Sequence, residues 1–313
     1  MNQSISRVLA LAFILTSANF VFAQKPNPID QDDESSRQIV LDRFNKARPL
    51  SEASAGMGSG SNAAANKTPV YRRTGLARIP TRRGARPPST EEIGVTVWRL
   101  RPSRDSDQGA RVLVLDGLKQ AQWTPERIEA GTPLNVGDRI RITVESPRPG
   151  FLYIIDREQY ADGSLGEPLL IFPTTRTRGG DNRVMPGKLI DIPAQEDQYS
   201  YFTAQPAGTR RDQVAEVLTV ILTPAQLPLT ISDQPLRVQP SQISEWERAW
   251  GGIAETLELM GGAGRTWTTE EKLAGAANGR QLTQAGPPPQ TVYRVARKAG
   301  APVLVTVPLH YAR

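Results

Sequence analysis

The sequence predicts a mainly β protein, an antiparallel β-sandwich-like domain with a C-terminal helix and β-hairpin. Three observations lead there. From Val95 onward, short apolar runs recur about every ten residues, with turn signals between them. At least one run, Asp138–Ser146, alternates apolar and polar residues cleanly, the signature of a half-buried strand. A helical stripe appears only after the last of the evenly spaced strands. The composition agrees, because 26 Gly, 26 Pro and 38% hydrophobic residues imply many turns and linkers.

Residues 1–23 have the form of a secretory signal peptide. Arg7 precedes an apolar segment ending at Phe22, and Val21-Phe22-Ala23 offers a small-residue cleavage site before Gln24. Thr16, Ser17 and Asn19 interrupt the segment, which is shorter than the roughly 20 residues a membrane span needs. An exported bacterial protein, periplasmic or extracellular, is expected, touching the membrane only through this segment before cleavage. The chain contains no Cys, which removes thiol catalysis, thiolate zinc sites and lipid attachment at Cys. It is long enough to bury a core without disulfides.

Residues 24–90 read as a disordered basic linker. Ser51–Lys67 is a Gly/Ser/Ala/Asn tract. No acid lies between Glu52 and Glu91, while Arg72, Arg73, Arg82, Arg83 and Arg86 accumulate, within a net charge of +6. Such a basic arm suits an anionic envelope polymer. Nucleic acid is not an expected partner of an exported chain, and Tyr71 is the sole aromatic among these arginines. Ile39, Val40 and Phe44 sit at helical spacing in a short piece, Ser36–Lys46, that could dock.

Residues 91–240 carry the strands. Runs at 95–102, 111–117, 138–146, 151–160, 167–174, 188–194, 199–206 and 215–224 are each bounded by Gly, Pro or Asp-Gly signals. Residues 241–313 supply the helix and hairpin, packed on the β domain. Ser244 and Glu247 form a capping-box pattern, and Trp246, Trp250, Ile253, Leu257 and Met260 make one apolar stripe ending at Gly261-Gly262. The two Trp are expected to pack on the sheet. A shorter helix is expected from Thr268 through Ala274. The runs 291–300 and 301–311 read as a hairpin around Lys298-Ala299-Gly300.

The segment YIIDREQYADGSLGEP, residues 153–168, scatters Asp156, Glu158, Asp162 and Glu167 over a short span. Counted as a calcium loop from Asp156, it places Tyr160 and Ala161 where a ligand and the bend glycine belong. Asp156 and Glu158 share a strand face, a pair that glycosidases could use, but most acidic strands offer one. A hairpin fits best. Ala161–Ser164 is turn chemistry between Leu152–Ile155 and Leu169–Phe172, with the carboxylates on the solvated loop and its shoulders.

Here the chain resembles the bacterial domain of unknown function 4384, over roughly residues 133–224. Gly150-Phe151-Leu152-Tyr153 and Ile171-Phe172-Pro173 carry the likeness. The resemblance implies an antiparallel β fold, which in some members is attached to peptidase or kinase domains. It brings no activity and no site residues.

No catalytic constellation is visible, and neither a cofactor nor a metal is expected. The one histidine, His310, lies on the face of its strand opposite Val303, Val305, Val307 and Leu309, and no nucleophile elbow precedes it. The preferred binding site is the loop 176–187, with Arg176, Arg178, Gly179, Gly180, Asp181, Asn182 and Arg183. Its glycines could let backbone amides approach an anion beside the arginines. The expected function is a non-enzymatic interaction or scaffold module of the cell envelope, whose partner is an envelope protein or an anionic polymer. The alternative is a polysaccharide-binding or polysaccharide-active protein using Asp156 and Glu158 or Trp-lined sheet surfaces.

Overall fold

Strand β2 (Thr90–Pro102) organises the first of two antiparallel sheets in the computed structural model. The structure describes residues 43–50, 70–75, 79–80, 89–116, 119–197, 200–208 and 210–312. The predicted signal segment and the arm residues Arg82, Arg83 and Arg86 lie outside these residues. Along one edge β2 pairs with β5 (Arg139–Glu145). Along the other it pairs first with β14 (Thr291–Ala296) and then with β4 (Lys119–Ile128). Beyond β14 come β13 (Ala254–Leu259) and β1 (Tyr71–Arg73), and beyond β4 comes β3 (Val112–Asp116). Beyond β5 lie β9 (Ile190–Ile192) and β10 (Phe202–Thr203).

The second sheet runs β12 (Leu236–Arg237), β7 (Leu169–Phe172), β6 (Gly150–Tyr160), β11 (Gln213–Thr223), β15 (Val303–His310). The short β8 (Arg183–Val184) pairs with the start of β6. Alternation places every second residue between the sheets. Ile93, Val95 and Val97 of β2 meet Leu152 and Ile154 of β6, Val220 of β11 and Val305 of β15 there. Each such buried side chain contributes about 1.5–3 kcal/mol. The sandwich-like architecture and the predicted β6–β7 hairpin are both present. Ile154 pairs with Phe172 and Asp156 with Leu169, and Gly163 takes φ 81° in the turn. Gly150 is required where β6 passes β11, because a Cβ there would lie 2.7 Å from the Thr223 carbonyl oxygen.

Both outer faces are covered. Helix α1 (Pro240–Trp250) lies on the second sheet, with Trp246 stacked on Trp250 at 5.3 Å and packed among Tyr153, Ile155 and Ile221, the sheet packing expected of these Trp. Trp267 and α2 (Thr269–Gly275) belong to the segment over the first sheet. The polar face of β5 is therefore not half-solvated. Arg141 is buried 5.3 Å from the Trp267 ring and donates to the Ser200 carbonyl from Nε (2.9 Å) and Nη2 (2.6 Å).

Three other expectations fail. The predicted 244–260 helix ends at Trp250, and Gly251-Gly252, not Gly261-Gly262, terminate it. Pro240 opens it at the first helical position, so Ser244 is interior and its hydroxyl back-bonds to the Pro240 carbonyl (3.0 Å). Leu257 is in β13, and Ile253 and Met260 are exposed. The predicted C-terminal hairpin is a crossover. β14 pairs with β2 and β13, whereas β15 pairs with β11, so the turn at Gly300 carries the chain from one sheet to the other. Finally, part of the supposed unstructured arm is built into the fold. Tyr71 is buried in β1, and Phe44 packs with it against Leu257 and Val292.

Glu92 faces outward from β2 yet is buried, with neither carboxylate oxygen hydrogen-bonded and Arg43 Nη1 3.9 Å away. Burial, only partly offset by Arg43 and Arg294, pushes it from 4.5 up to about 7. The folded state thus holds a proton that the unfolded chain releases, so stability falls as pH rises from about 4.5 to 7. Glu92→Gln is expected to be more stable than wild type by up to ~3 kcal/mol at pH 8 and nearly equal at pH 4.5. Urea denaturation at the two pH values checks it.

Candidate functional site

The loop after β7 makes a tight left-handed turn. Arg178, Gly179 and Gly180 have φ of 52°, 63° and 85°. Glycine takes these angles freely, while Arg178 is held there at a cost of about 1–2 kcal/mol. The Gly180 amide donates to the Thr177 carbonyl (3.0 Å) and the Asp181 amide to that of Arg178 (3.2 Å). Those two backbone amides are spent on the turn, so neither is available to the expected anion cradle. Asn182 is structural: it is buried and its Nδ2 donates to the Leu152 carbonyl (3.0 Å), pinning the loop to β6.

The loop instead delivers side chains to a broad cleft of about 1130 Å³. Arg178, Asp181 and Arg183 line it, as do Arg148, Lys188 and Arg280 from other segments. Five cations thus face one carboxylate, over an apolar floor that includes Phe151, Val184 and Pro224. Arg183 is exposed and paired with Asp181 (2.9 Å), which holds that carboxyl below its usual value. Arg148 bonds Glu91 and donates to the Ala301 carbonyl (2.7 Å). Lys188 points its ammonium at the carbonyls of Ala276, Ala277 and Gly279, and burial and Arg178 lower its pKa. Arg178 Nη1 is buried with no hydrogen-bond partner. The cleft lining thus carries an excess of positive charge.

Arg176 turns away and pairs with Asp233 (3.3 Å). Arg72 and Arg73 of the predicted basic arm are in β1, ion-paired with Glu129 and Glu255. The Trp surfaces considered as sugar platforms are occupied by protein: Trp98 and Trp267 are buried edge-to-face at 6.1 Å, and Arg139 covers Trp123 at 4.3 Å. No local signal marks Arg148, Lys188 or Arg280, because their common feature is position in the fold.

Asp156 and Glu158 do share a face of β6, but it is the core-facing one, not a solvated shoulder. Of the four acids in this segment, Asp162 and Glu167 are the exposed ones. Asp156 lies beside Glu216 of β11 at one end of the sandwich, and both line a small pocket of about 130 Å³. Glu216 accepts hydrogen bonds from Tyr311 Oη (3.0 Å) and Gln213 Nε2 (2.7 Å).

Residues 133–215 match the family model described as a domain of unknown function, DUF4384. This stretch is similar to the DUF4384 family. No curated protein and no solved structure matches the chain. The DUF4384 stretch supplies strands to both sheets, since β5 belongs to the first and β6 to the second. It also supplies most of the cleft cations, with Arg280 coming from the segment after α2. Its match ends at Ala215, so Glu216 and the core residues Leu218, Val220 and Leu222 of β11 lie beyond it.

Proposed function

We propose that this chain is an exported, non-enzymatic binding module of the bacterial cell envelope, and that its basic cleft holds an anionic segment of an envelope polymer or protein. One observation carries the reading. Cations from three separated stretches, at Arg148, Arg178–Lys188 and Arg280, converge with a single carboxylate on an apolar floor. Arg148 and Arg183 already have the partners Glu91 and Asp181, and the positive charge left over favours an added anion. The export reading draws on residues 1–23, and the arm residues Arg82, Arg83 and Arg86 would add range to the same attraction.

The test is a pull-down from envelope extract with the full chain and two variants. Arg183→Glu/Arg280→Glu reverses two exposed cations of the cleft, and Arg82→Gln/Arg83→Gln/Arg86→Gln neutralises the arm. The proposal expects the cleft variant to lose at least tenfold in captured material, about 1.4 kcal/mol or more, with the arm variant losing less. Equal capture by wild type and cleft variant would rule the cleft out.

A further inference from the structure

The pocket at the end of the sandwich has an unusual lining. Its walls include Leu134, Ile142, Ile171, Phe202 and Leu309 from both sheets, and its polar groups are the carboxyls of Asp156 and Glu216, with Tyr311 beside them. Asp156 Oδ1 is buried and has no hydrogen-bond partner. Asp156 and Glu216 line the same wall of this pocket, and each carboxyl disfavours charge on its neighbour. Facing groups are few. Glu158 of β6 is held by the Tyr160 hydroxyl, Tyr311 donates to Glu216, and β5, β7 and β10 contribute no titratable side chain to the lining. Arg139 and Arg141 of β5 turn to the opposite face. An uncompensated carboxylate in an apolar wall is costly, so a natural sequence that keeps one there needs a reason.

We propose that this pocket binds a primary ammonium carried on a short aliphatic stem, the ammonium donating to the carboxyls of Asp156 and Glu216. The chemistry matches part by part. An ammonium offers a positive charge and three donors to oxygens that have too few. The apolar walls suit a methylene stem, and about 130 Å³ admits a chain of roughly four or five heavy atoms, the space of about four waters. A divalent cation is a poorer fit, since no cluster of three or more potential ligands occurs among the described residues and apolar walls cannot hold the waters such an ion retains. The same chemistry has two sources, a free alkylamine or the lysine side chain of a partner.

Burial and Glu216 push Asp156 up to about 7, and burial raises Glu216 as well. Ammonium binding needs the pair ionised and so expels its proton. Affinity must therefore rise with pH, by about tenfold from pH 6 to pH 8 for one proton released near pH 7.

The experiment titrates the full-length protein with n-butylammonium and, separately, with Nα-acetyl-lysine amide, following backbone amide NMR shifts at pH 6 and pH 8. Saturable shifts at Asp156, Glu216 and Phe202 that strengthen about tenfold at pH 8 support the site. Preference for the free amine assigns it to small amines, and equal or tighter binding of the lysine amide assigns it to a lysine side chain. Asp156→Asn keeps the side chain's size and should abolish binding, and Glu216→Gln should weaken it at least tenfold. Circular dichroism establishes that each variant is folded, and the wild-type pH profile stands if one is not. No saturable shift for either amine at pH 8, equal binding of neutral n-butanol, or unchanged affinity in folded Asp156→Asn would overturn the proposal.

Discussion

Glu145→Ala is expected to destabilise the protein by about 3–5 kcal/mol, the cost of leaving a buried guanidinium without its partner. Arg48 and Glu145 are both buried and joined by two hydrogen bonds of 2.7 Å, from Nε to Oε1 and from Nη2 to Oε2. Arg48 donates its remaining bonds to the carbonyls of Gly286 (2.9 Å) and Pro287 (3.1 Å). The pair therefore ties residues 43–50 to β5 and to the stretch that precedes β14. Arg48→Met should cost a similar amount, because it strands Glu145. The double variant Arg48→Met/Glu145→Leu should recover much of either loss, since replacing both members of a buried pair with apolar groups is often near neutral. Equilibrium urea denaturation of the four proteins measures these differences. A double variant as unstable as the sum of the singles would mean that packing, not charge, dominates there. A deletion of residues 24–90 would remove the buried Phe44, Arg48 and Tyr71 together with the arm, so substitutions at Arg82, Arg83 and Arg86 isolate the arm's charge.

A polypeptide cut to the DUF4384 match, residues 133–215, is expected not to fold at all. β5 would lose its pairing with β2, and β6 would lose most of its pairing with β11. The core would lose Val95 and Val97 on one side and Val220, Val305 and Val307 on the other. Two sheets with exposed edges and half a core cannot offset chain entropy. Far-ultraviolet circular dichroism and one-dimensional NMR read the outcome. A cooperative thermal transition in residues 133–215 would show that the matched stretch is an autonomous unit and that the flanking strands are accessories.

How far the sequence led depends on how local each feature is. The alternation in β5 and the apolar runs of β6, β11 and β15 are local, and all four strands appear where the pattern puts them. β4 was illegible because Pro125 sits mid-strand among polar residues, although it pairs with Leu100 of β2. Residues 254–259 carry apolar positions that suit a helical continuation, and the pairing of Leu257 with Val292 decides for strand. The Gly300 turn is a true local signal, but which strands it joins is a long-range choice between sheets. In the cleft, the density of Arg and Gly in 176–187 was readable and located three lining residues, Arg178, Asp181 and Arg183. Arg148 and Arg280 are brought in by topology alone. Asp156 looked like a surface acid because its true neighbour, Glu216, is far along the chain on the paired strand.

The central claim, that the cleft takes an anionic segment, is tested most directly by calorimetric titration of the full-length protein with inorganic polyphosphate and with poly-L-glutamate, at low and high salt. The cleft account predicts saturable binding of at least one polymer, weakening steeply with salt, and at least tenfold lower affinity in Arg183→Glu/Arg280→Glu. Binding that is unchanged in that variant, or no binding of either polymer at low salt, would contradict it.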